Sequence, residues 1–424
     1  MQCEPLDGGE MLMEIDLNRL TGIGKPWKFI DTRYDDDKQE MEMLLEYDER
    51  QAPCPKCGKI CSFHDRAPER RWQHPAMCLY NAFVVCRVPR TKCAEHGVLT
   101  LEPEWAAPRG QFTLMFEAKV IELLQMCQKQ ERVAKMMGIS ADSVRTIMKS
   151  AVELGLARRE AANPKHLAID EKSYGKGHNY MTVFTNGDSS HVIDVIAGRG
   201  TEEVVKGIEA ILSPEARQGV EITSMDMAAS YAKAASLTCP NAKRVVDRYH
   251  VSVHVGKAIA SARRQGVKEL NEAGETEKAK ALKGVLPALR YNPANRPAKH
   301  QEVFDAALQA SETVATVWKH GELLRGFYDR IPKRIAKSYL TRWIDTAQNL
   351  KIPSLTHLGN LVERHFHGIL DGKLLQCSNA VAESINSKIQ EFKTAARGFK
   401  SFERYRFNTL FYCGGLDMLP QKTR

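Results

Sequence analysis

Two apolar runs in this chain each end on a carboxylate. HLAID closes on Asp170 and EITSMD closes on Asp226. A third acid, Glu383, stands at the front of AVAESINSKIQEFKTAARGFKSFERYR, a basic, helix-like stretch with interleaved aromatics. A charge at the end of an apolar strand is costly unless something pairs with it. If the two strands are neighbours, their ends bring both aspartates to one sheet edge, and Glu383, facing inward from a late helix, makes a trio. Three carboxylates within about 5 Å repel by roughly 3 kcal/mol per pair at an effective dielectric near 20. Divalent cations supply the compensation. Mg²⁺ (or Mn²⁺) suits such a set, because it takes hard oxygen ligands and few protein carboxylates alongside substrate phosphates. Two such ions clamp the attacking and leaving oxygens of an in-line phosphoryl transfer. Each acid has a competing assignment. Glu171 could be the ligand in place of Asp170, Asp226 could cap a helix beginning near Ala228, and Glu383 could form only helical pairs. Asp247, in VVDRYH, ends another apolar strand and competes for the same role.

The cysteines point to a second metal. The chain has eleven, seven of them before residue 100. Cys54 and Cys57 form a C-x-x-C, and Cys93 and His96 a C-x-x-H. Two such knuckles make a tetrahedral Cys3His site for structural Zn²⁺. Pro-Lys-Cys-Gly and Glu-His-Gly put tight turns where knuckles need them. Cys61, His64, Cys78 and Cys86 are spare ligands, and reduced, buried cysteines are the plainer alternative. Zinc would stabilise a β unit too small to bury much core.

QERVAKMMGISADSVRTIMKSA, residues 130–151, has the form of a helix, a glycine turn and a second helix. Ser140 is placed to cap the second helix, while Val133, Met137, Ile139, Val144 and Ile147 fit a two-helix core. The outer face offers Asp142, Ser143, Arg145, Thr146 and Lys149 to a DNA major groove. Near the C-terminal end, Lys388, Lys393, Arg397 and Lys400 recur every three to five residues, as phosphate contacts or as a solvated basic face.

The elements around these residues change character along the chain. WKFIDTRYDDDKQEMEMLLEY predicts a hairpin, followed by a small cysteine-rich β unit and helices over 112–160. Three strand candidates follow (HLAIDEKSY, YMTVFT and HVIDVIAG), then a helix at 201–213, the strand VEITSMDM, a helix at 228–237 and the strand KRVVDRYH. That order suggests an α/β domain with a mixed sheet. Residues 251–352 read as helices, with eighteen Lys/Arg against ten Asp/Glu. Net charge is +9, yet residues 1–50 carry fourteen acids against six bases, so the remainder is basic enough for a polyanionic partner. No stretch approaches the roughly 20 apolar residues of a membrane span. The acidic start lacks a signal sequence, and the expected location is the cytoplasm.

Together, IDEKSYGKGHNYMTV, SMDMAASYAKA, VVDRYHV and SNAVAESINSKIQEFKTAARGFKSFERYR running to FYCGGL resemble the DDE transposases of bacterial insertion sequences. More narrowly, PWKF, CPKCG, RRWQH, KCAEHGV and the helix-turn-helix resemble the zinc-bearing ISL3 type, in the family's order over nearly the whole chain. The resemblance implies an RNase-H-like core with its triad on the first strand, the fourth strand and a late helix, here Asp170, Asp226 and Glu383. It implies the following organisation: an N-terminal hairpin segment (1–50), a zinc-binding domain (51–110), a helix-turn-helix (111–162), a first part of the core (163–250), a helical insertion (251–370) and a last catalytic segment (371–424). It implies binding of terminal inverted repeats in double-stranded DNA, cleavage at the element ends and joining of the 3′-OH to target DNA. Handling two ends implies a homodimer or larger complex on DNA. A DNA-binding regulator with an idle catalytic scaffold is the alternative.

Overall fold

The computed structural model describes residues 16–173, 179–291, 295–376, 380–396, 398–399 and 401–420, without the side chains of 380–383. The chain divides into two units, Met1–Arg159 with Leu416–Arg424, and Glu160–Gly415.

The first unit opens with a short helix, α1 (Leu17–Thr21), and the expected hairpin, β1 (Trp27–Asp35) and β2 (Glu40–Tyr47). Strands β3 (Gln51–Pro53), β4 (Ile60–Arg66), β5 (Arg70–Met77), β6 (Tyr80–Cys86), β7 (Pro89–Cys93) and β8 (Gly97–Thr100) follow. They form two four-stranded sheets, ordered β1-β2-β6-β5 and β3-β4-β7-β8. In β2 the alternation of EMEMLLEY turns Met41, Met43, Leu45 and Tyr47 inward, as a period of two requires. Their core closes around Trp27, Trp72 and Trp105, with Trp105 edge-on to the other two at 5.6 and 5.1 Å.

Three helices complete this unit: α2 (Leu114–Met126), α3 (Gln130–Met137) and α4 (Ala141–Arg158). Thr113 caps α2 and its hydroxyl also meets buried His74 Nδ1 at 3.0 Å, tying the helices to β5. Gly138 ends α3 at φ 64°, a left-handed conformation that glycine adopts without a Cβ penalty. Ser140 caps α4 by accepting from the Ser143 N–H at 3.0 Å. The tail Leu416–Pro420 lies with α4 rather than with the helix that carries Glu383. A Cβ on Gly155 would stand 2.7 Å from Leu416 Cβ, and Arg158 donates to the Leu419 carbonyl at 2.6 Å.

In the second unit, β9 (His166–Ser173), β10 (Tyr180–Asn186) and β11 (His191–Ala197) form an antiparallel meander. Helices α5 (Thr201–Ile211) and α6 (Pro214–Gly219) lead to β12 (Ile222–Met225), and α7 (Ala229–Thr238) leads to β13 (Lys243–Val246). Both late strands run parallel to β9, giving the order β11-β10-β9-β12-β13. Leu167, Ile169, Phe184, Ile193 and Met225 pack against Val204, Ile208 and Tyr231 of the helices. Gly207 permits this close approach, since a Cβ there would lie 2.7 Å from Ile196 and 2.8 Å from Phe184.

The run KRVVDRYH is a strand only as far as Val246. Asp247 then accepts the Tyr249 N–H and caps α8 (Arg248–Glu272). Eight more α-helices among the described residues follow: α9 (Thr276–Ala281), α10 (Leu286–Arg290), α11 (Gln301–Ala310), α12 (Glu312–Arg325), α13 (Phe327–Arg330), α14 (Ala336–Asn349), α15 (Pro353–Arg364) and α16 (Phe366–Leu375). They share a core of their own that includes Val255, Ile259, Phe304, Val317, Leu324, Phe327 and Trp343. The chain returns to the sheet with α17 (Ala380–Ala395), and a further helix, α18 (Phe402–Cys413), separates it from the CGGL turn.

Candidate functional site

The register of the five-stranded sheet aligns the aspartates. Ile222, Thr223 and Ser224 of β12 stand opposite His166, Leu167 and Ala168 of β9, so two residues further on Asp226 is level with Asp170. Ile222 to Met225 likewise stand opposite Lys243 to Val246 of β13, which sets Asp247 beside Asp226. Three carboxylates thus occupy one row across neighbouring parallel strands, about 4.8 Å apart per strand step. Asp226 and Asp247 directly follow their strands, whereas β9 continues past Asp170 to Ser173, so the strand does not close on Asp170 as its apolar run suggests.

Each is held differently. The Asp170 side chain is only 21% exposed; Lys172, two residues on and on the same face of β9, reaches it at 2.9 Å. His250 Nε2, from the first turn of α8, lies 4.0 Å from Asp170 Oδ1. Asp226 Oδ1 accepts the Ala228 N–H at 2.8 Å, so it does steady the entry to α7 while leaving its second oxygen uncommitted by that bond. Asp247 receives the Tyr249 N–H at 2.6 Å, and its own N–H donates to the Met225 carbonyl at 2.9 Å. Glu171, the alternative to Asp170, belongs to the other face of β9, where Arg199 donates to both its oxygens at 3.1 Å.

Several neighbours register the negative charge. Burial chiefly, with Glu171, Asp226 and Asp170 adding, raises the Tyr231 phenol well above its usual range. Burial, and to a smaller degree Cys413 and Asp170, does the same to Tyr405 of α18. His365 is lowered by burial and by Arg364, with Asp226 opposing. A cavity of about 430 Å³ opens beside Asp226, walled also by Arg244, Arg364, His365 and His367.

Helix α17 is fastened to the strand that carries Asp170. Lys393 Nζ donates to the Ser173 carbonyl at the end of β9 at 2.8 Å, while Ile385, Ile389 and Phe392 are buried. Glu383 lies in the first turn of this helix, and its side chain falls outside the described residues. Of the four basic candidates here, Lys388 is exposed and Lys393 is the half-buried fastener just described. Arg397 and Lys400 lie outside the described residues. Sequence reading missed Lys172 and His365 as neighbours of the acids. Lys172 was legible, because residues two apart on a strand share a face.

In the first unit Cys54, Cys57, Cys93 and His96 bring one ligand atom each to within 4.8 Å of one another. The Cys57–Cys93 sulfur separation is 3.8 Å, and His96 Nδ1 is 3.6 Å from Cys93 and 3.8 Å from Cys54. A tetrahedral ion with bonds of about 2.0–2.3 Å requires edges of roughly 3.5–3.8 Å, so the cluster is compatible with zinc. Gly58 and Gly97, both at φ 71°, shape the two turns. Backbone N–H groups of Glu95 and His96, with the His96 ring, lower the Cys93 thiol to about 6, which favours the thiolate a metal needs. Cys78 and His64 stand outside the cluster, and Cys86 is buried with its thiol raised to about 12.

The helical hairpin has the anticipated core. Val133, Val144 and Ile147 are buried, joined by Ala134, whereas Met137 and Ile139 are half-buried. On α4, Thr146 and Lys149 are exposed and Ser143 and Arg145 half-exposed. Arg145 pairs with Asp142, and Lys149 lies 4.0 Å from Glu153. No helix among the described residues is long and apolar enough to cross a membrane.

Comparison with known proteins gives the chain's family. A family model described as a transposase, of the DDE ISL3 kind, matches residues 167–409. A second, the helix-turn-helix domain of transposase family ISL3, matches 101–152. The transposase for insertion sequence element IS1557 of Mycobacterium tuberculosis is 26% identical over 373 residues, covering 82% of each chain. The transposase for insertion sequence element IS1001 of Bordetella parapertussis is 24% identical over 361 residues, covering 83% of this chain and 86% of its own. With more than half its length matched by the first of these models, this chain belongs to the ISL3 family of transposases.

Proposed function

We propose that the protein is the transposase of a bacterial insertion sequence, with an RNase-H-like core that cuts DNA at the element ends and joins the freed 3′-OH to target DNA. The observation that carries this reading is the level row of Asp170 and Asp226 on adjoining parallel strands. An antiparallel meander followed by two parallel strands is the order such a core requires, and the helices from α8 to α16 form its insertion.

Asp170, Asp226 and Glu383 are the metal-holding residues in this proposal, and the donor set fits: hard carboxylate oxygens, few in number, whose mutual repulsion needs a cation. Two Mg²⁺ (or Mn²⁺) ions, when bound, stabilise the attacking and leaving oxygens of the phosphoryl transfer. The chain's own residues prepare that site. Lys172 steadies Asp170 before substrate arrives, and the Ala228 N–H fixes the rotamer of Asp226. Lys393 secures α17, and hence the position of Glu383 in the chain, against β9. Lys388, Arg397 and Lys400 hold backbone phosphates, which position DNA without reading it.

Cys54, Cys57, Cys93 and His96 hold a structural Zn²⁺, and this unit binds the terminal inverted repeats together with Ser143, Arg145, Thr146 and Lys149 of α4. Because Arg145 and Lys149 are paired internally, DNA phosphates or base edges exchange with Asp142 and Glu153 for them. Two ends are processed together by a homodimer or larger assembly on DNA.

The test is cleavage and joining of a labelled element end in Mg²⁺. Asp170→Asn, Asp226→Asn and Glu383→Gln each abolish both products while leaving end binding within about twofold. Full activity in Asp170→Asn or Asp226→Asn overturns the catalytic assignment. Binding without any cleavage by the parent chain favours a regulator with an idle core.

A further inference from the structure

The helical insertion contains a cavity that the carboxylate site does not use. It measures about 310 Å³ and lies among α8, α10, α12 and α13, lined by Ser252, Arg290, Arg325 and Arg330, with Glu322, Gly326 and Asp329 completing the wall. Three guanidiniums converge on it. Its two acids are already committed: Glu322 accepts from Arg325 at 2.5 Å, and Asp329 from Arg248 at 3.2 Å. Arg290 and Arg330 have no carboxylate partner among the described residues, so the cavity keeps two uncompensated cations and the Ser252 hydroxyl.

We propose that this cavity binds a backbone phosphate of the DNA strand that enters the carboxylate site. The proposal rests on the reading of that site as one acting on DNA, and it deepens that reading by naming a grip within the insertion. A guanidinium presents paired N–H donors in a fixed fork that matches two oxygens of a phosphate, and two forks with a hydroxyl complete a tetrahedral anion's needs. The location also fits. Arg248, held by the cavity's Asp329, follows Asp247 directly in the chain, and Asp247 is level with Asp226. Ser252 is five residues along α8 from that cap, about 7.5 Å at the helical rise. A strand whose scissile phosphate lies at the aspartates therefore passes the cavity within a few nucleotides. Arg325 has a structural share, since its bond to Glu322 is half-buried, whereas Arg290 and Arg330 are exposed and free to serve the ligand.

The experiment uses the full chain and a 40-bp duplex of arbitrary sequence, with affinity measured over a range of KCl. Each phosphate contact contributes about 0.9 to the slope of log K against log[salt]. Arg290→Ala/Arg330→Ala lowers the slope by about 0.9 and weakens binding roughly tenfold at the lowest salt, equally for unrelated sequences. Arg290→Lys/Arg330→Lys retains most of the slope, which excludes a folding defect as the cause. An unchanged slope in the alanine variant overturns the proposal. So does an equal drop in Lys333→Ala/Lys337→Ala, whose exposed side chains lie outside the cavity. If the parent chain shows no Mg²⁺-dependent cleavage but the slope shifts as stated, the phosphate site stands and the cleavage reading falls. If cleavage occurs and the slope does not shift, the reverse holds.

Discussion

Lys172 Nζ lies 2.9 Å from Asp170 Oδ2, two residues along the same strand and on the same face. The pair is largely shielded, with side chains 26% and 21% exposed, so the ammonium neutralises Asp170 within the carboxylate row. Any ion taking Asp170 as a ligand competes with it.

Lys172→Met therefore tightens Mn²⁺ binding, because it removes the competitor and leaves Asp170 and Asp226 with their repulsion unrelieved. A partly exposed ion pair of about 1 kcal/mol corresponds to a roughly fivefold gain in affinity. Counting free Mn²⁺ by electron paramagnetic resonance measures it. Weaker binding in the variant would mean that Lys172 supports the metal site instead of blocking it.

Zinc content tests the cysteine cluster. The parent chain carries one zinc per molecule by elemental analysis, and Cys57→Ala or Cys93→Ala lowers it to near zero. An ion held by this cluster would tie the β3–β4 and β7–β8 turns together, and because Ala52 of β3 shares the core of Trp27, Trp72 and Trp105, removal by chelator also alters the near-ultraviolet circular dichroism of those tryptophans. Undiminished zinc in Cys93→Ala would exclude the assigned ligand set.

A buried and a half-buried group give the first unit opposing responses to pH. Burial lowers His74 to about 4 and raises Glu117, on α2, to about 7. His74 stays neutral in the fold, so its contribution is present above about 6.5 and is lost as pH falls towards 4. Glu117 behaves in the opposite sense. Its contribution is present below about 4.5 and is lost as pH rises through 7. Each term is on the order of 3 kcal/mol, and between pH 4.5 and 6.5 they offset one another. Urea unfolding across that range shows His74→Gln gaining stability towards acid and Glu117→Gln losing it. Parallel profiles for the two variants would contradict this balance.

The arrangement was partly legible in the sequence. HLAID and EITSMD are apolar runs ending in acids, and their order among strands and helices led to a mixed sheet with both aspartates at one edge. The cysteine spacing likewise led to Cys54, Cys57, Cys93 and His96 from among the ten cysteines and histidines before residue 100. What escaped was tertiary. VVDRYH reads as strand throughout because its apolar run gives no sign that Asp247 turns from strand to helix cap. The Glu171–Arg199 pair spans 28 residues, and Lys393 reaches Ser173 across 220. Periodicity carries no information about such pairings, which depend on how the sheet is assembled.

Metal binding between the aspartates is the claim on which the enzyme depends, and anomalous diffraction from a crystal soaked in Mn²⁺ examines it most directly. The account predicts an anomalous peak within bonding distance, about 2.0–2.3 Å, of carboxylate oxygens from both Asp170 and Asp226, with Glu383 or water completing the shell. A fully occupied Mn²⁺ elsewhere, with Asp170 still paired to Lys172 and no density at the carboxylate row, would contradict it.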